Sequence, residues 1–213
     1  MLRSALRTGL SDAHLRVDRL FSCFDLTVPA GLAAFCRANE NALRRLRFPV
    51  PDDAAAASVP AGPSGDTPRG VEGHAPDSPA TDPLRIDATA MITALQADRR
   101  ALGDDAPLPP LAALAVTPHP VAVAYILLGS RLGTQVLRRD WAQSADTQVQ
   151  GAGRYFALPP LTAEWRRLVA DLDARPVLGP DAQQILSDAE AIFDLFARSA
   201  LLELARMGVT APD

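Results

Sequence analysis

Apolar positions recur at three- and four-residue steps along most of this chain, the period of helices with one buried face. Leu2, Leu6, Leu10, Val17, Phe21 and Phe24 form the first stripe and predict an amphipathic helix reaching the Asp25–Pro29 turn. His14 falls on that stripe, four residues after Leu10 and three before Val17, so it is directed toward the core or a cavity. Arg16 and Arg19 then turn to solvent, and Arg7 lies on nearly the same face as His14, two turns earlier. Thr27 or Asp25 is available to cap a second helix from about Ala30 to Arg47. Its inner side carries Leu32, Phe35, Cys36, Asn39, Leu43 and Leu46. Its basic end, Arg44, Arg45 and Arg47, suits the negative pole of the helix dipole.

The pattern stops at Pro49. From there to Pro83 proline, glycine, serine, alanine and aspartate dominate, a composition that cannot bury enough apolar surface to offset its ordering entropy. Residues 49–83 are therefore predicted to be a disordered insertion within a single domain spanning 1–213, and His74 inside it has no assigned role. Helical patterning resumes at Ile86 and runs to Leu102, with Gly103 as a stop signal. Pro107 to Pro120 is a proline-punctuated connection in which His119 is expected at the surface. Pro120 opens a further helix that ends near Asp140–Trp141. Gln143–Gly153 is polar and loop-like.

Arg154-Tyr155-Phe156 leads to Pro159-Pro160, and Thr162 is placed to cap a helix from Ala163 to Asp173 with Trp165 and Leu168 buried. Pro180 opens the last helix, whose stripe from Ile185 to Leu204 ends at Gly208. No segment shows sustained two-residue alternation, and no repeat of 20–50 residues is present. The expected fold is all-α, a bundle of about six to eight helices.

One helix carries an anomaly. Tyr125-Ile126-Leu127-Leu128-Gly129-Ser130-Arg131-Leu132-Gly133 contains two glycines, each costing about 1 kcal/mol against alanine in a helix interior. Tyr125, Gly129 and Gly133 are four residues apart and share one face. Bare backbone on one face admits close approach, either of another helix or of a flat ligand.

Composition narrows the choices. The chain has 213 residues, 48% hydrophobic content and a net charge of −4, as in soluble globular proteins. An acidic balance argues against nucleic acid as the main partner. Every basic residue is arginine, which reads as coding bias. Cys23 and Cys36 fit neither a metal-ligand spacing nor a disulfide framework, and read as buried thiols in a reducing compartment. No apolar run approaches the roughly 20 residues that span a bilayer, and no signal core is present, so a cytoplasmic protein is expected. Metalloprotease, phosphate-loop and serine-nucleophile motifs are absent. With His14, His74 and His119 the only histidines, a di-iron site in a bundle is poorly supported.

The segments Leu2-Arg3-Ser4-Ala5-Leu6-Arg7, His14-Leu15-Arg16-Val17-Asp18 and Phe24-Asp25-Leu26 resemble the opening of bacterial haem oxygenases, in particular the branch associated with bacterial phytochromes. Tyr125 to Gly133 resembles that branch's signature Tyr-Val-Leu-Glu-Gly-Ser-x-Leu-Gly-Gly. Arg154-Tyr155-Phe156 to Trp165 sits where the family has an aromatic-plus-Trp pattern. The resemblance implies a haem-oxygenase-like helical bundle with haem held between the first helix and a bent distal helix. His14 would be the proximal iron ligand, and Gly129 and Gly133 the distal glycines. Ordered water, rather than an acid–base side chain, would serve the distal side. Haem would be both cofactor and substrate, consumed with O2 and electrons from a ferredoxin or reductase to give biliverdin, carbon monoxide and ferrous iron. A bacteriophytochrome would be the recipient of the pigment. By position, Arg7 and Arg154 are candidates for pairing with haem propionates, Tyr125 for contact with the ring, and Ser130 for the distal polar network.

Two positions depart from the signature. Leu128 stands where the family has Glu, and Thr134 where it has the second glycine of a pair. A β-branched residue there predicts a stiffer helix beside the bend. Three readings follow: a haem oxygenase, a non-catalytic haem-binding or protein-interaction module that keeps the fold, and a plain bundle. In the last, the glycines only permit helix packing and His14 is a core residue.

Overall fold

The computed structural model describes residues 1–46 and 88–212, and the predicted 49–83 insertion with His74 lies outside them. All regular structure among the described residues is helical, with no strand. The elements are α1 (Leu2–Gly9), α2 (Ser11–Phe21), α3 (Pro29–Arg45), α4 (Ala88–Ala101), α5 (Pro120–Trp141), α6 (Thr147–Gln150), α7 (Arg154–Ala157), α8 (Thr162–Ala174) and α9 (Pro180–Arg206).

The N-terminal stripe is two helices rather than one. Leu10 breaks the run with φ −102° and ψ 4°, a conformation between helical turns. Gly9 before it, a poor helix former, and Ser11 after it favour a break at that point. Leu2, Leu6 and Leu10 remain buried on one face, whereas His14 beyond the break is exposed. Thr147–Gln150 is a short helix inside the stretch expected to be loop, capped by Asp146, whose Oδ1 accepts the N–H of Gln148 at 2.8 Å. Thr162 does not cap α8 but is its first residue, and Leu161 precedes it in the left-handed region at φ 52°. His119 has the expected extended backbone, φ −57° and ψ 133°, but its side chain is partly buried rather than at the surface. Its Nδ1 accepts the N–H of Val121 at 3.1 Å and so caps α5, while its own N–H donates to Asp188 at 2.7 Å.

α3 and α9 form the centre. α3 packs on α9 and α4; α9 also packs on α2 and α5; α8 lies against α5 and α1; α7 rests on α4 and α5. Because α3 is surrounded, its burial is not confined to the predicted inner face: every residue from Gly31 to Leu43 is buried, including Arg37, Asn39, Glu40 and Asn41. Burying charge is costly unless it is paired, and around α3 it is paired. Glu40 accepts from Arg99 at 2.7 Å, Arg44 at 2.8 Å and Gln96 at 2.9 Å. Arg99 also donates to Asp104 at 2.8 Å, and Arg37 joins Asp104 at 2.9 Å to Glu203 at 2.7 Å. Burial pushes the Asp104 carboxyl up, but Arg99 and Arg37 outweigh it and hold it below its ordinary value.

α5 is unbroken for 22 residues. It is long and apolar enough to span a bilayer, contrary to the impression of the sequence, but half of its most apolar window is buried inside the bundle. The Cys36 thiol is fully enclosed, and burial pushes its pKa well up, which keeps it a packing group rather than a nucleophile.

Candidate functional site

A half-open cavity of about 830 Å³ lies between the α1–α2 pair and α5. That size falls within the range of small-molecule and cofactor pockets, about 300–1,000 Å³. α3 contributes Phe35 and Asn39, α9 contributes Phe193 and Phe196, and Tyr155 and Trp165 come from α7 and α8. The lining is mostly apolar because the residues that face it are the helical stripes themselves.

The structure brings His14 and Arg7 on one wall and Tyr125, Gly129, Ser130 and Gly133 on the other into this one cavity. Arg154 is elsewhere. Its side chain is exposed and donates to the Gly151 carbonyl at 3.3 Å, while its backbone N–H donates to the buried Asp98 at 2.8 Å. Asp98 also accepts the Tyr155 N–H at 2.8 Å, so this corner anchors α7 on α4 instead of facing the cavity.

His14 is oriented on two sides. Its ring meets the edge of Phe193 at 5.6 Å between centroids, and Nδ1 lies 3.2 Å from Asp18 one turn on. A carboxylate on Nδ1 leaves Nε2 as the nitrogen available to a ligand, the usual arrangement of a metal-binding imidazole. Asp18 was legible as an i,i+4 partner, yet sequence reasoning passed over it. Side-chain exposure of 59% shows that His14 is no core histidine.

Across the cavity, the two glycines separate the packing explanation from the ligand explanation. A Cβ on Gly133 would meet nothing within 4 Å, and one on Gly129 would only touch the Trp165 ring at 3.7 Å. No neighbouring helix requires either bare position. Tyr125 leans on Trp165 at 5.7 Å, and burial pushes its phenol pKa up while Arg3 and Arg7 pull it back.

Further along α5 the wall turns polar in a way the sequence did not reveal. Thr134 is buried; its Oγ1 donates to the Ser130 carbonyl at 2.8 Å and accepts from Arg131 Nη1 at 3.3 Å. Arg131 is 1% exposed and donates to the carbonyls of Leu158 at 2.8 Å and Pro159 at 3.5 Å. Its guanidinium sits 5.0 Å from the centre of the Tyr155 ring. The Tyr155 phenol is pushed up by burial, partly offset by the Arg131 charge and by hydrogen bonds with Thr134 and Arg131. Thr134 therefore does more than stiffen the helix; it ties α5 to α7.

Among the described residues no group of three or more His, Cys, Asp or Glu side chains could enclose a metal ion. A macrocycle that brings its own equatorial nitrogens asks the protein for one or two ligating side chains only, a demand the exposed imidazole of His14 could meet. Haem also needs a flat apolar slot and cations for its carboxylates; the phenylalanine-lined cavity, the vacant space at Gly133 and Arg7 fit that requirement. Comparison with protein families, with curated proteins and with solved structures finds no match.

Proposed function

We propose that this chain binds haem between α2 and α5 and degrades it as a haem oxygenase, forming biliverdin, carbon monoxide and ferrous iron from haem, O2 and external electrons. One observation carries the reading: His14, with Asp18 on its Nδ1, shares a cavity with a helix whose Gly133 leaves unfilled space that no packing neighbour claims. A glycine costing about 1 kcal/mol in a helix interior is accounted for if a flat ligand uses that space.

In this reading His14 would hold the haem iron through Nε2, with Asp18 on Nδ1 fixing the tautomer. Arg7 pairs with a propionate at the cavity wall, Tyr125 and Trp165 close one edge, and the α5 backbone at Gly129 and Gly133 limits what fits opposite His14. Bound haem would supply both the redox-active iron and the carbon skeleton that is cleaved. Thr134 and Ser130 present polar atoms where ordered water would be held. A ferredoxin or reductase would be the electron donor, the cytoplasm the compartment, and a bacteriophytochrome a fitting recipient of the pigment.

A second reading, haem binding without turnover, has a specific observation in its favour. α5 is helical without a break, and the Thr134–Ser130 and Arg131–Leu158 bonds brace it where the haem-oxygenase signature calls for a bend. Mixing the purified protein with hemin and then adding a reductant under air decides between them. A Soret band that decays to biliverdin absorption supports the enzyme. A stable band abolished by His14→Ala leaves binding alone, and no band in the wild type ends both readings.

A further inference from the structure

Arg131 is the largest fully buried side chain in the described structure, and its partners are all uncharged: two carbonyls, the hydroxyls of Thr134 and Tyr155, and the Tyr155 ring face. The fold treats its other buried arginines differently. Arg37 and Arg99 each contact two carboxylates. A guanidinium stays protonated at any relevant pH, so Arg131 is a permanent positive charge with no counter-ion within the protein's own ion-pair distance among the described residues. Such a charge is expensive to bury alone. The two hydroxyl-bearing residues it touches, Thr134 and Tyr155, both line the cavity, which places the charge one side chain behind the wall.

We propose that Arg131 is an electrostatic positioning residue that makes this cavity favour anionic over neutral small ligands at the iron face opposite His14. The inference rests on the haem reading and adds the selectivity of its open face. Unlike Arg7, which is exposed and screened, Arg131 acts through a low-dielectric layer, so its field reaches the cavity with little loss. The consequence for turnover is direct. Electrons delivered from outside add negative charge to the site, and a fixed cation that needs no reorganisation stabilises it.

The test uses the protein reconstituted with hemin, titrated with azide as the anion and imidazole as the neutral ligand, both read from the Soret band. For Arg131→Met, azide should bind on the order of tenfold more weakly while imidazole is unchanged, the size expected for one nearby charge at an effective dielectric of about 20. Arg131→Lys should keep most of the azide affinity although it loses the fork to Leu158 and Pro159. Arg131→Gln, which retains a donor for the Leu158 carbonyl, repeats the neutral test if circular dichroism shows Arg131→Met unfolded. Equal weakening of both ligands, unchanged azide binding, or a lysine variant as weak as the neutral ones would overturn the inference and leave haem binding standing. A wild type with no Soret band would overturn both.

Discussion

Two buried arginine sites in this molecule are built on opposite plans. Where α3, α4 and α9 meet, Arg37 and Arg99 are saturated by Glu40, Asp104 and Glu203, and the ionic groups exist to hold helices together. Behind the cavity, Arg131 is buried more deeply still but faces only dipoles and an aromatic ring. A paired charge has its field cancelled within a few ångströms; an unpaired one projects it. The first site closes on itself, and the second leaves its field uncancelled behind the cavity wall.

Substitutions sharpen that contrast. The largest effect is expected at the closed site. Arg99→Met removes one of two cations from each of the buried anions Glu40 and Asp104, leaving them to Arg44 and Arg37, and should cost up to about 3–5 kcal/mol in urea denaturation. Arg131→Met strands no carboxylate, only carbonyls and a hydroxyl, and should cost about 1–2 kcal/mol. If the two costs are equal, the distinction between the sites is wrong.

The acid limb of stability separates them further. Asp104 has a folded pKa depressed below its ordinary value near 3.8, so its contribution is present above that value and lost as pH falls through the folded one. Asp104→Asn should start less stable at neutral pH and show a shallower loss from about pH 5 to about pH 3. An unchanged acid limb would mean that Asp104 is not held by Arg99 and Arg37.

On the cavity side the effects on stability are smaller, and one has the opposite sign. Gly133→Ala adds a Cβ that meets nothing, so thermal denaturation should show a gain of up to about 1 kcal/mol from helix propensity. The same methyl enters the haem space and should weaken hemin binding. Stabilisation with unaltered hemin affinity would remove Gly133 from the site. Smallest of all, His14→Ala should shift stability by no more than about 0.5 kcal/mol, as for an exposed residue, while abolishing the hemin spectrum. A large loss of stability would instead make His14 a structural residue.

Much of the architecture was legible before any coordinates. A three-to-four-residue apolar period determines helices, because a helix must bury whichever face is apolar, and this chain offers no competing two-residue pattern. The starts at Pro120 and Pro180 and the stop at Gly208 could be read because proline and glycine act through their own backbone geometry. The shared face of Tyr125, Gly129 and Gly133 followed from spacing alone. The break at Leu10 and the helix at Thr147–Gln150 were not legible, since short-range propensity there is weak and tertiary packing decides. Arg154 was misplaced because a motif position does not say which way its helix turns; Asp98 draws the start of α7 onto α4.

What only the tertiary structure decided is the difference between the two kinds of buried arginine. In sequence, Arg99 and Arg131 are each an arginine in a helix with an apolar stripe, and nothing local marks which kind each will be. Asp104 comes from the loop just after α4, but Glu40 reaches Arg99 only because α3 converges on the C-terminal end of α4, a long-range juxtaposition with no local signature. Near Arg131 the converging segments bring Leu158, Pro159 and Tyr155, which supply dipoles and no anion. Charge compensation depends on which segments meet in space, and spacing along a chain carries no record of that.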